Sequence, residues 1–187
     1  MTSTAAALTT CLAASPRCSG NCDNNPGNSY YSEMVVGNTR TVLANGIPNH
    51  SYELDAVSPN PNKACEQRVA LPLPLNPSLG TYHVSSMGPV GISVTGGFIF
   101  NHLSSPTGDL AVPNEGPSLD SCRGHSEPTC RYHYHHINSL GSCHVTLPTN
   151  LTLASATCSL VGWMLDGFPL VTCLNSAGDP VLDSCYT

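Results

Sequence analysis

A chain of 187 residues fits one domain, with or without a tail. Only 10% of the residues are charged and the formal net charge is −6, which excludes the basic stripe of a nucleic-acid binder and the basic patch that docks on an anionic membrane. Apolar runs are only a few residues long, so no transmembrane helix is expected, and 40% hydrophobic content with so little charge excludes a disordered chain.

In chain order, residues 1–28 come first: rich in Ala, Thr, Ser and Asn, with Cys11, Cys18 and Cys22. They hold too few large apolar groups to bury a core, so they read as an extended tail on a body spanning 29–187. Met34-Val35-Val36, Gly37-Asn38 and Thr39 to Ala44 predict a hairpin with a two-residue turn. The Pro/Asn/Ser-rich stretch 55–64 reads as a loop, and Tyr82 to Ser85 as a strand. Pro89 to Thr95, Gly96-Gly97 and Phe98 to Asn101 predict a second hairpin. Residues 103–118 read as another long loop, followed by a strand over Arg131 to Ile137. Leu160 to Leu165, Asp166-Gly167 and Phe168 to Thr172 predict a third hairpin. Pro169 cannot donate to a ladder, so its strand is expected at an edge or a bulge. No segment carries an amphipathic helical pattern over three turns. With 16 Gly and 16 Pro, the expectation is an all-β, disulfide-stapled irregular sandwich or barrel with long loops and an extended N-terminal tail.

Ten cysteines without a CxxC pair point to disulfides in an oxidising compartment rather than to a zinc ribbon. The expected location is therefore extracellular, secreted or at the cell surface. Cys18 with Cys22, Cys122 with Cys130, and Cys173 with Cys185 are the local pairings that spacing suggests. Residues 1–16 lack the basic start and Leu-rich run of a signal peptide, so the chain reads as a mature or partial form. Asn49-His50-Ser51 and Asn150-Leu151-Thr152 are acceptor triplets for N-linked glycans.

Chemistry concentrates in Asp120-Ser121-Cys122-Arg123-Gly124-His125 and Arg131-Tyr132-His133-Tyr134-His135-His136. On a strand, side chains alternate, so His133 and His135 share one face while Tyr132, Tyr134 and His136 share the other. Two imidazoles on one face, with His125 as a third nitrogen and Asp120 or Glu115 as an oxygen, would suit Zn or Cu. The competing expectation is a buried Tyr/His hydrogen-bond network that stands in for a larger aliphatic core. Nucleophile elbows, HExxH and phosphate loops are absent, which favours a binding or structural role over catalysis. Asp120 and Asp166 are the carboxylates to weigh for glycoside hydrolysis, although Asp166 before Gly167 is placed to cap a turn. Trp163, the single tryptophan, is the candidate glycan platform, but its apolar strand assigns it to the core.

Several blocks together resemble the YHYH-domain family. Tyr132-His133-Tyr134-His135 is its naming motif. Asn45-Gly46-Ile47-Pro48-Asn49-His50, Gly88-Pro89-Val90-Gly91-Ile92 with Phe98-Ile99-Phe100-Asn101, Asp120 to His125, and Gly162 to Pro169 resemble its other segments, in family order. The resemblance implies a secreted or surface domain, mostly β, and gives no mechanism. Leu170-Val171-Thr172-Cys173 departs from the Ile-Tyr-Gly that often follows in the family, which weakens any carry-over of chemistry there.

Low charge, many cysteines, glycan triplets and a coreless tail lead to a non-enzymatic extracellular structural protein. The expected partners are copies of itself. Thr4, Leu8, Cys11 and Leu12 of the tail would add a strand to the neighbouring copy, head to tail, making a filament. The alternative is a metal-binding protein or metal-dependent enzyme using His125, His133 and His135.

Overall fold

Alternation in Thr39-Arg40-Thr41-Val42-Leu43-Ala44 turns Val42 and Ala44 to one face, and both are buried. This strand, β2 (Thr39–Ala44), lies between β1 (Tyr31–Val36) and β3 (Val69–Pro74) in an antiparallel three-stranded sheet. The Gly37-Asn38 turn joins β1 to β2 in the expected register, with Val36 opposite Thr39. β3 carries Pro72 and Pro74, and it lies at the sheet's edge among the described residues, where missing N–H groups cost no ladder bond. The computed structural model describes residues 26–52, 60, 62–81, 87–136, 143, 147–153 and 156–177.

The second sheet holds β4 (Pro89–Ser93), β5 (Phe98–Phe100), β6 (Gly124–Ser126), β7 (Tyr132–Tyr134), β8 (Leu147–Leu153), β9 (Ala156–Met164) and β10 (Pro169–Leu174). Its order is β10-β9-β4-β5-β7-β6, with β8 also paired to β9. Pairing is antiparallel except between β5 and β7, which run parallel. The hairpins at Gly96-Gly97 and Asp166-Gly167 form as expected. Pro169 starts β10, which lies at the sheet's edge next to β9 among the described residues, and that pair shifts register between Leu170 and Val171, so the proline sits at an edge and beside a bulge as expected.

Val42, Ala44, Val69 and Leu73 of the small sheet pack with Ile92 and Phe98 of the large one, and this shared cluster joins the two sheets. Trp163 belongs to the same contact: it packs on this cluster, its indole donates to Glu33 at 2.9 Å, and the Arg40 guanidinium lies 3.7 Å from its ring centre. The fold is thus all-β and disulfide-stapled, as expected.

Three expectations need correction. Residues 103–118 are not all irregular: they contain α1 (Ala111–Glu115) and a 3-10 turn (Gly116–Ser118). Of the strand expected over Arg131 to Ile137, the described residues form only Tyr132–Tyr134, and Ile137 lies outside them. Cys122 bonds Cys143 instead of Cys130, and Cys173 bonds Cys158 instead of Cys185. Nearness in sequence misled because the sheet sets the pairing: Cys158 and Cys173 are direct partners across β9 and β10. Cys65 and Cys130 each take part in a disulfide as well. The tail residues Thr4, Leu8, Cys11, Leu12, Cys18 and Cys22, together with Cys185 and the strand over Tyr82 to Ser85, lie outside the described residues.

Candidate metal centre

β6 and β7 pair so that His125 stands directly opposite His133, which puts both imidazoles on one face of the ribbon. His135, two residues on, joins them. The tight turn before β6 fixes His125. The Asp120 carboxylate accepts the Cys122 N–H at 2.8 Å and the Gly124 N–H at 3.0 Å, and Arg123 takes a left-handed φ of 61°. The other Asp120 oxygen accepts the Tyr132 hydroxyl at 2.6 Å. Asp120 is therefore committed to the turn and stands apart from the imidazole nitrogens. The carboxylate that lies against the imidazole nitrogens is Glu115, at the end of α1.

Four atoms form a closed ring. His125 Nε2 lies 3.1 Å from His133 Nε2, which lies 3.0 Å from His135 Nε2. Glu115 Oε2 lies 3.2 Å from both His125 Nε2 and His135 Nε2. The three nitrogens lie within 4.8 Å of one another.

Hydrogen-bond partners fix the tautomers. His135 Nδ1 donates to the Asn101 carbonyl at 2.9 Å, and His133 Nδ1 faces the Arg131 carbonyl at 3.4 Å. The Ser118 hydroxyl spends its proton on the Glu115 carbonyl at 2.8 Å, so its oxygen accepts from His125 Nδ1 at 3.1 Å. Each imidazole thus carries its proton on Nδ1 and turns an Nε2 lone pair inward. Burial, then the neighbouring imidazoles, depresses His133 to about 2; burial and then His135 depress His125 to about 4. Both are neutral at neutral pH, so the His125–Glu115 contact is not an ion pair there. Glu115 Oε2 is itself buried without a hydrogen-bond donor. Lone pairs facing one another at 3 Å repel unless a cation lies among them. The chemistry of these donors, three imidazoles and one carboxylate, fits a divalent transition metal. Phe100 stacks on His133 with ring centres 3.8 Å apart and holds the ring in plane.

The tyrosines of the same strand do separate work. Tyr132 and Tyr134 are fully buried on the opposite face. The Tyr134 hydroxyl lies 2.8 Å from His50 Nε2 and 2.8 Å from Thr95 Oγ1, and Thr95 donates to Ser93 at 3.0 Å. A cluster of three histidines and a buried tyrosine hydrogen-bond network therefore both occur, on opposite faces of β7.

Asp166 lies exposed in the β9–β10 turn, where it accepts the Phe168 N–H at 3.2 Å. Asn150 is exposed on β8, whereas Asn49 is half-buried with its Oδ1 shielded from solvent. Ser118, Phe100 and the Asn101 carbonyl were missed from sequence, because each acts through a contact between distant segments. No helix among the described residues is long and apolar enough to cross a membrane. A family model described as YHYH protein matches residues 70–183, more than half of the chain. No curated protein and no solved structure matches it.

Proposed function

The chain belongs to the YHYH protein family, and we propose that its domain is an extracellular metal-binding module that holds one divalent ion, Zn or Cu, between His125, His133, His135 and Glu115. The observation that carries this reading is the convergence of three Nε2 lone pairs and a donorless buried carboxylate oxygen at 3.0–3.2 Å. The outer hydrogen bonds on every Nδ1 are what a ligating histidine needs to stay in one tautomer. Disulfides support an oxidising compartment. The test is elemental analysis of oxidised protein dialysed against zinc or copper. One tightly held ion per chain, lost in His133→Ala, supports the site. No retained metal in a folded wild-type protein overturns it.

A second reading, a filament subunit, is favoured by β1. It lies at a sheet edge among the described residues, and Met34, Val35 and Val36 are exposed at 48%, 50% and 66%. Such an edge can accept a strand from another copy. In this reading Thr4, Leu8 and Leu12 of one copy lie along β1 of the next, and a glycan on the exposed Asn150 would decorate the outside. Electron microscopy of the intact oxidised chain beside Leu8→Asp/Leu12→Asp decides it. Filaments lost in the variant support strand addition; monomers in both preparations end it.

A further inference from the structure

The segment between β5 and β6 is anchored in an unusual way. From His102 to Ser118, Ala111 alone is buried, so the segment contributes little apolar contact. Its polar contacts are mostly internal. Ser104 N–H donates to the Asp109 carbonyl at 2.8 Å, Ala111 N–H to the His102 carbonyl at 2.8 Å, and Leu103 bridges Leu110. Ser105 and Thr107 both donate to the Asp109 carboxylate, at 2.9 and 2.8 Å. It is a self-tied loop resting on the large sheet.

Among the described residues, the loop's own polar side chains reach beyond it only to two imidazoles, while its Leu103 N–H donates to the Asn101 side chain at 3.2 Å. Glu115 meets His125 and His135. Ser118 meets His125 Nδ1. Just before the loop, the Asn101 carbonyl receives His135 Nδ1. The loop is therefore fastened at its start, through its helix and at its end to the ligand set, and through its helix by a carboxylate that needs a cation.

We propose that residues 102–118 are a metal-locked flap: the bound ion ties α1 to the β6–β7 ribbon through Glu115, and removing the ion releases the flap while the sheets stay folded. This rests on the metal-binding reading above. Without the ion, Glu115 faces lone pairs, and little apolar burial holds the loop down. The sheets keep their own core and their disulfides. A flap of low local stability on a rigid scaffold is a device for exposing a surface on demand.

Hydrogen exchange on the intact oxidised chain tests this, with zinc and then after a chelator, comparing peptides over 102–118 with peptides over 156–174. Chelation is expected to speed exchange in the flap by about five- to 150-fold, the range of ordinary coupling between a ligand and a distant segment, and to leave β9 and β10 unchanged. Glu115→Ala removes the tie and keeps the three imidazoles. Its flap should exchange fast even with zinc bound. If zinc binds and the flap exchanges at the same rate with and without it, the flap is overturned and the metal site stands. If zinc does not bind at all, both readings fall. If exchange rises everywhere on chelation, the ion holds the whole fold and the local lock is wrong.

Discussion

At Gly124 a Cβ would meet the Tyr132 hydroxyl and ring, with Cε1 only 2.8 Å away. The glycine is needed because the Tyr132 hydroxyl passes there on its way to Asp120, and Asp120 in turn shapes the turn that presents His125. One missing methyl thus links the buried face of β7 to the ligand face. Gly124→Ala should cost about 1–3 kcal/mol, the usual penalty for overpacking a filled site, read as a lower urea midpoint. Gly80→Ala is the comparison, since a Cβ there has nothing within 4 Å; it should stay within about 0.5 kcal/mol of wild type. Equal losses at both positions would sink the argument. Tyr132→Phe keeps the ring and removes the donor to a buried carboxylate, and should cost about 1.5–3 kcal/mol.

At the scale of elements, the hairpin β9–β10 shows what the sequence could and could not disclose. Asp166-Gly167 between apolar runs and Pro169 after the turn revealed the turn, the pairing and the edge position, because each is a local chemical demand. The disulfide was not legible, because Cys158 and Cys173 become neighbours only once the register is set. The same contrast runs through the site. Alternation along β7 placed His133 and His135 on one face, and the turn motif ending in His125 was visible. Glu115 instead of Asp120 was not decidable, since it depends on a loop folding back over the sheet. Removing the β9–β10 bridge in Cys158→Ala/Cys173→Ala should cost about 3 kcal/mol, the closure entropy of a loop of 15 residues. Non-reducing peptide mapping should recover Cys158 with Cys173 and Cys122 with Cys143; a Cys122–Cys130 or Cys173–Cys185 peptide would contradict the fold.

Over the whole molecule, two sets of buried groups give opposite handles on stability. Tyr31, Tyr132 and Tyr134 all have phenols pushed up from their ordinary range, chiefly by burial and further by nearby acidic groups. The folded chain holds these protons more tightly than the unfolded chain. Their contribution is therefore complete below pH 10, the unfolded value, and is lost as pH rises beyond it. The melting temperature should fall steeply above pH 10, and three of the seven tyrosines should resist ionisation until the chain unfolds. The imidazole ring works the other way, by mass action. An ion that binds only the folded state at a hundred times its Kd adds about 2.7 kcal/mol. For a chain of this size, each kcal/mol raises the melting temperature by about 2–4 °C. Zinc at that excess should therefore raise it by about 5–11 °C, with a further rise for each tenfold increase in concentration. His133→Ala should be insensitive to added zinc, because the two remaining imidazoles and Glu115 no longer close the ring. A shift in wild type that persists in His133→Ala would mean that zinc acts on exposed side chains such as His102 and His136, and that the converging lone pairs are not its site.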